Sequence, residues 1–375
     1  MMWESLFLLL PLAAFSGWLI GRRALRNVTL KKLANIHQLF NNTIQPETLA
    51  NLIEENADQI ETHLALGGLF RRRGEVEKAV GIHQNLINTH TLTEEQRALS
   101  LLELSRDYMR AGVLDRAESV LLNLIDQEQE LEASFQHLID IYQQSKDWKS
   151  AIKTAEQWQT KTNRNLSFQI AHFYCEIAEQ EWLRDERELA VLSLKKALSV
   201  NRQCVRANVL LGHIESQLGN YSEAIKAYKQ IQKQDPAFLS EILLPIARCY
   251  EKLNNPVGMI EYFHECLEKH LPSSAVLVFA EWLQKNLGKE EALNFVIERL
   301  KKNPSLRGLK HLVNLSLLRA EGDIRQDLSL FQSLIETMLT NKPFYRCQGC
   351  GFSGRTLQWQ CPTCKRWDVV KPIHD

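Results

Sequence analysis

Glycine and proline are scarce in this chain, with 16 and 10 residues among 375. These are roughly half the usual shares of about 7% and 5%. Turn-dense β sandwiches and barrels need both residues, so their shortage leans the chain towards helix. Net charge is missing too, since 45 Lys and Arg meet 45 Asp and Glu. A neutral chain lacks the clustered cations that phosphate-backbone binding draws on, and no nucleic-acid partner is expected. Nor is there a Gly-rich phosphate loop, a nucleophile elbow or a catalytic histidine signature. The chain reads as a non-enzyme. With 45% hydrophobic residues and well-mixed charges it is no disordered chain. At about 150 residues per domain, its length suits two or three domains.

Charge is also absent from Ser5 to Gly21, a run of 17 mostly large apolar residues (SLFLLLPLAAFSGWLIG). That is the short end for a membrane-spanning helix. Trp3 and Trp18 lie near its ends, where the two interfaces would be. A cleaved secretory signal, the main competing reading, needs a basic segment in front. Here only Glu4 precedes the run, while Arg22, Arg23, Arg26, Lys31 and Lys32 follow it. The positive-inside rule then leaves the N-terminus periplasmic and everything after Arg22 cytoplasmic. The expected anchor covers residues 1–21, and a basic juxtamembrane segment with a degenerate first repeat covers 22–60.

From residue 61 to 304 the sequence repeats with a period of about 34 residues. Leu66-Gly67, Phe70, Gly74 and Ala79 form one set, and Tyr108, Gly112 and Ala117 the next. Tyr142, Ala151 and Ala155 follow; after an expanded unit with Ala190, Leu194 and Ala197, the register returns in Leu211-Gly212, Gly219, Ala224, Tyr228 and Pro236. Ala247-Tyr250-Phe263 and Ala280-Ala292-Pro304 continue it more loosely. Two helices of this length cannot bury an apolar stripe alone, but stacked pairs can. Small residues permit close helix approach, and Gly74, Gly112 and Gly219 fall where the turn needs positive φ. The pattern resembles the tetratricopeptide repeat, with six clear units and a degenerate last helical pair over 305–342. The expected fold is an all-α tetratricopeptide-repeat solenoid, with a transmembrane helix before it and a small metal module after it.

The eight cysteines fall into two groups. Cys175, Cys204, Cys249 and Cys266 are scattered through apolar helical sequence, where Cys175 and Cys249 read as buried spectators. Cys347, Cys350, Cys361 and Cys364 instead form C-x2-C-x10-C-x2-C within residues 343–375. Two residues between thiolates let one tight turn aim both sulfurs at a single ion, and two such turns complete a tetrahedron. The competing reading, two disulfides, conflicts with a cytoplasmic location. Trp359 and Trp367 flank the second turn and offer the module apolar area to set against repeat helices. The run Phe70-Arg71-Arg72-Arg73 reads either as a grip for an acidic partner or as an exposed helix end.

The tail, Y-x-C-x-x-C-G followed by C-P-x-C, resembles a rubredoxin-type or zinc-ribbon module. Lys365 stands where rubredoxins carry Gly, and the spacer is shorter. The anchor ending in GRR, the repeats HLALGGLFRRRGEVEKAVGIHQNL, LSRDYMRAGVLDRAE and IAHFYCEIA, and this tail together resemble the lipopolysaccharide assembly B family of Gram-negative inner-membrane proteins. The resemblance covers nearly the whole chain. It implies one metal ion, iron or zinc, held by Cys347, Cys350, Cys361 and Cys364. It also implies an inner-membrane scaffold that presents the committed-step lipopolysaccharide deacetylase to a membrane-anchored AAA+ protease and gathers other lipopolysaccharide assembly proteins. A rubredoxin-like electron carrier and a generic envelope co-chaperone are the alternatives.

Overall fold

A computed structural model describes residues 60–88, 92–268, 273–340 and 342–373. The expected anchor over 1–21 and the segment 22–59 lie outside the described residues. Among those described, no helix is long and apolar enough to cross a membrane. The described residues divide into two compact units, the first ending at Ser134 and the second beginning at Phe135.

The first unit carries two helix pairs: α1 (Ile60–Arg73) with α2 (Val76–Ile87), and α3 (Glu94–Ala111) with α4 (Leu114–Asp126). Helix α3 starts on a capping box, in which Thr93 Oγ1 accepts from the Gln96 backbone N–H and the Gln96 side chain accepts in return. Two orphan N–H groups are satisfied at once. In this unit Arg71 donates to Glu103 at 2.7 Å and to Asp107 at 2.8 Å. His83 Nδ1 meets the other Asp107 oxygen, and neither His83 nor Asp107 is accessible to solvent. Arg71 is therefore spent on an internal ion network, and only Arg72 and Arg73 of the basic run are exposed.

The second unit begins inside α5 (Leu131–Ser145), which pairs with α6 (Trp148–Thr162). Next come α7 (Ser167–Leu183) with α8 (Arg187–Val200), then α9 (Val205–Gln217) with α10 (Tyr221–Gln234). A 3₁₀ turn at Pro236–Phe238 leads into α11 (Leu239–Lys252) and α12 (Pro256–Glu268). The last pairs are α13 (Ser273–Asn286) with α14 (Lys289–Lys302), and α15 (Leu306–Leu317) with α16 (Gly322–Leu339). The core of this unit gathers Tyr228, Phe238, Ile242, Phe263 and Phe279, all less than 5% exposed.

Each pair turns on one residue of positive φ. Gly74 (+85°), Gly112 (+77°), Gly219 (+83°) and Gly288 (+109°) fill four of these turns. Lys146 (+57°), Asp185 (+63°) and Asn254 (+51°) fill three others without glycine. Hence seven pairs, α1 to α14, occupy the stretch in which the sequence pattern suggests six clear units. The expanded unit around Ala190 is a pair of its own, α7–α8, turning on Asp185. Five residues after most of these turns sits a fully buried alanine: Ala79, Ala117, Ala151, Ala190 and Ala224. The architecture is an all-α tetratricopeptide-repeat fold with a C-terminal metal-ribbon module.

Candidate functional site

Three short strands frame the four clustered sulfurs. β1 (Tyr345–Cys347), β2 (Ser353–Gly354) and β3 (Val370–Pro372) make one antiparallel sheet in the order β2–β1–β3. Tyr345 faces Gly354 on one side and Pro372 on the other, and Cys347 faces Val370. The two cysteine turns are copies of each other in their backbone bonding. Gly351 N–H donates to Cys347 O at 3.0 Å, and Lys365 N–H donates to Cys361 O at 2.9 Å. Cys347 N–H reaches Phe352 O at 2.7 Å, and Cys361 N–H reaches Arg366 O at 2.9 Å. Gly351 (φ +80°) and Lys365 (φ +58°) hold matching left-handed places. Lysine thus makes the turn that glycine makes in its twin, at a conformational cost glycine avoids.

The four sulfurs all lie within 4.8 Å of one another. Cys347 Sγ is 3.8 Å from Cys364 Sγ, and Cys350 Sγ is 3.6 Å from Cys361 Sγ. A tetrahedron with metal–sulfur bonds of about 2.3 Å has edges of about 3.8 Å, so the cluster fits one ion. A disulfide needs about 2.05 Å, and all eight cysteines are free. Cys347 and Cys361 are buried, Cys364 is partly so, and Cys350 is exposed. Gly349 N–H donates to Cys347 Sγ at 3.3 Å. The backbone N–H and then the guanidinium of Arg366 pull the Cys364 thiol down to about 6, favouring the thiolate a metal needs. The Arg366 guanidinium also crosses the first turn, so close that a Cβ on Gly349 would meet it. An all-sulfur donor set suits zinc or iron and leaves no position open for a reacting water.

The module lies against the first helix of successive pairs in the second unit. Trp367 stacks on His172 of α7 with ring centroids 5.0 Å apart, and meets Phe173 and Trp148 edge-on. Its Nε1–H donates to Gln143 Oε1 at 3.1 Å, and Gln360 donates to the same oxygen at 3.0 Å. The guanidinium of Arg206 on α9, held by Glu176 and Glu179, lies 5.5 Å from the Trp367 ring. Trp359 stacks on Phe238 at 5.2 Å and joins the helical core together with Leu357. Tyr345 donates to Glu241 of α11 at 2.9 Å, and Arg307 of α15 donates to Pro343 O at 3.2 Å. Both tryptophans therefore pack on repeat helices, as their spacing predicts.

Lys371 bridges Asp235 at 2.9 Å and Asp368 at 3.1 Å, while Arg355 donates to Thr340 O. With Arg366 turned onto the sulfurs, Lys371, Arg355 and Arg366 all bind within the chain. Cys175 and Cys249 are fully buried in helices, as expected. The bed residues Gln143, His172, Arg206, Phe238 and Glu241 carry no sequence motif. They become a site only because the repeats line them up.

Comparison with known proteins agrees with this anatomy. A family model described as "Rubredoxin metal binding domain" matches residues 345–372, and tetratricopeptide repeat models match 62–98 and 205–238. "Lipopolysaccharide assembly protein B" of Escherichia coli (strain K12) is 33% identical over 383 residues, covering 99% of this chain and 98% of that protein. The Haemophilus influenzae protein of the same name is 34% identical over 396 residues, with the same two coverages. On that end-to-end identity, the chain belongs to the lipopolysaccharide assembly protein B family.

Proposed function

We propose that this protein is a non-catalytic, inner-membrane adaptor that restrains lipopolysaccharide synthesis. It holds the committed-step deacetylase through its helix pairs and brings it to a membrane-anchored AAA+ protease. The observation that carries this reading is the pairing, in a chain matched end to end by lipopolysaccharide assembly relatives, of stacked repeats with the charge-free run Ser5–Gly21 and its basic flank. A tether raises the effective concentration of membrane partners without any new contact. Stacked pairs supply the extended surface that a protein client needs. The ion held by Cys347, Cys350, Cys361 and Cys364, zinc or iron, folds the tail and fixes it on α7, α9 and α11. The same surface offers room for other lipopolysaccharide assembly proteins.

The test is the half-life of the deacetylase in cells carrying the full-length chain, a form lacking residues 1–21, or a Cys361→Ser form. The expected result is rapid turnover with the full-length chain alone, and excess lipopolysaccharide with the other two. Equal half-lives in all three would remove the adaptor mechanism.

A further inference from the structure

Helix α16 exposes an apolar stripe that nothing in its own unit covers. Ile324 (67% exposed), Phe331 (58%) and Met338 (59%) recur every seven residues, with Leu334 (52%) on the same face and Leu330 (60%) beside it. That is the spacing of a helix-pairing seam, apolar at the first and fourth positions of each heptad. The flank next to the stripe is already used: Ile335 is buried, and Gln332 donates to Asn314 of α15 at 3.0 Å. The last helix of a repeat array normally turns a polar face outward. A contiguous apolar stripe in its place marks an interaction surface.

The charge on the stripe says what fits it. Asp327 takes the seam position between Ile324 and Phe331, and Asp323 borders it one turn earlier. The helix's one cation, Arg325, is placed by the helical period on the far side of the cylinder. A second copy packed through α16 would leave Asp327 without a counter-charge in a closing apolar seam, which is costly. An anionic lipid surface would meet the same carboxylates and be repelled. We propose that α16 docks an amphipathic helix of a partner protein, with large apolar residues at heptad spacing and a Lys or Arg in the seam facing Asp327. The mode is helix-in-groove recognition with one charge pair setting the register. This goes beyond the adaptor reading and does not depend on it.

The experiment uses the purified chain with its metal and a fluorescein-labelled synthetic helix. The helix has a leucine seam and one Lys placed to meet Asp327; a control carries Glu at that point. Anisotropy should show the Lys helix binding at least about tenfold more tightly than the Glu helix, or about 1.4 kcal/mol. Asp327→Lys should reverse that preference, and Phe331→Ser with Leu334→Ser should abolish binding. Both serine sites are exposed, so unchanged thermal unfolding and metal content confirm an intact fold. Binding that ignores the charge swap overturns the proposal. So does concentration-dependent self-association lost in the serine variant, or adsorption to phosphatidylglycerol vesicles without helix binding.

Discussion

The ring of Trp367 lies nearly flat on that of His172, with centroids 5.0 Å apart and planes 20° from parallel. One residue belongs to the metal module and the other to α7, so this contact joins the tail to the helices. Both are buried, Trp367 at 7% and His172 at 1% exposure. Arg206 lies 5.5 Å from the Trp367 ring and is ion-paired with Glu176 and Glu179. The contact does two jobs, holding the module down and keeping an imidazole dry.

Truncating the ring separates those jobs. Trp367→Ala removes the stack, two edge contacts and the bond to Gln143, a loss of about 3–5 kcal/mol for a buried aromatic. The module should leave its bed while the cysteine turns keep their ion, since Trp367 supplies none of the four sulfurs. Limited proteolysis should then cut after residue 340, with metal content unchanged. A tail as resistant as in the parent chain would show that Trp359 and Tyr345 suffice to hold it.

Acid should loosen the same contact. Burial, then the charges of Arg206 and Lys371, push His172 down to about 3 from its ordinary 6.5. The folded chain thus binds fewer protons here than the unfolded one between those values, and stability rises with pH across that window. The contribution is complete above pH 6.5 and is lost as pH falls towards 3. Amide exchange in 343–373 at pH 5 against pH 7, corrected for intrinsic rates, should show faster opening at pH 5. His172→Phe keeps an aromatic stack without a titrating group and should flatten that difference. An unchanged pH dependence in the variant would place the acid sensitivity elsewhere.

Gly212 makes a sharper test of the helix packing. A Cβ built there would sit 2.4 Å from the Tyr228 ring, and Gly67 stands in the same relation to the His83 ring. Gly212→Ala should therefore cost about 1–3 kcal/mol by overpacking, read as a lower denaturant midpoint at constant slope. Tyr228→Leu in the same chain should recover part of it by making room. The Tyr228 hydroxyl is buried with no hydrogen-bond partner, so Tyr228→Phe alone should be neutral or stabilising.

These glycines explain how much was legible in the sequence. Gly67, Gly212 and the turn glycines 74, 112 and 219 recur because close approach and positive φ leave few other choices, and so the repeat shows. Lys146, Asp185 and Asn254 adopt the same turns by tolerating strain, so those three pairs show only through their buried apolar residues and not through a turn glycine. The metal cysteines were plain because coordination fixes both residue type and spacing. Gln143, His172 and Phe238 were not, since each is an ordinary residue until the stacking of α5, α7 and the turn before α11 brings it to a tryptophan. The stripe on α16 has a readable period, yet period alone does not tell an open face from a buried one.

Lys365 offers a gain rather than a loss. It holds φ +58° at the place where Gly351 holds +80°. A side chain there costs about 1 kcal/mol that glycine does not pay. Lys365→Gly should slow metal release to a chelator and raise the unfolding midpoint of the module. Faster release would mean that the Lys365 ammonium stabilises the sulfur cluster electrostatically by more than the backbone strain costs.

The last prediction concerns the ion itself. The module's own core amounts to Cys347, Cys361 and Val370, with Tyr345, Phe352 and Val369 around them. So small a core does not hold a chain against its conformational entropy, and metal binding then supplies the folding energy. Stripping the ion, or Cys361→Ser at the most buried sulfur, should unfold 343–373 and free Trp359 and Trp367 from Phe238 and His172. Tryptophan emission should shift to the red. Exchange protection should vanish at the Cys347, Gln348 and Asp368 amides, which donate to Phe352, Val369 and Trp359 carbonyls at 2.7 Å. Helices α9 to α11 close their own core around Tyr228 and Ile242, so their protection should fall far less. A metal-free chain that keeps those three amides protected would mean that the contacts with α7, α9 and α11 fold the module unaided, leaving the four sulfurs free for a role other than structure.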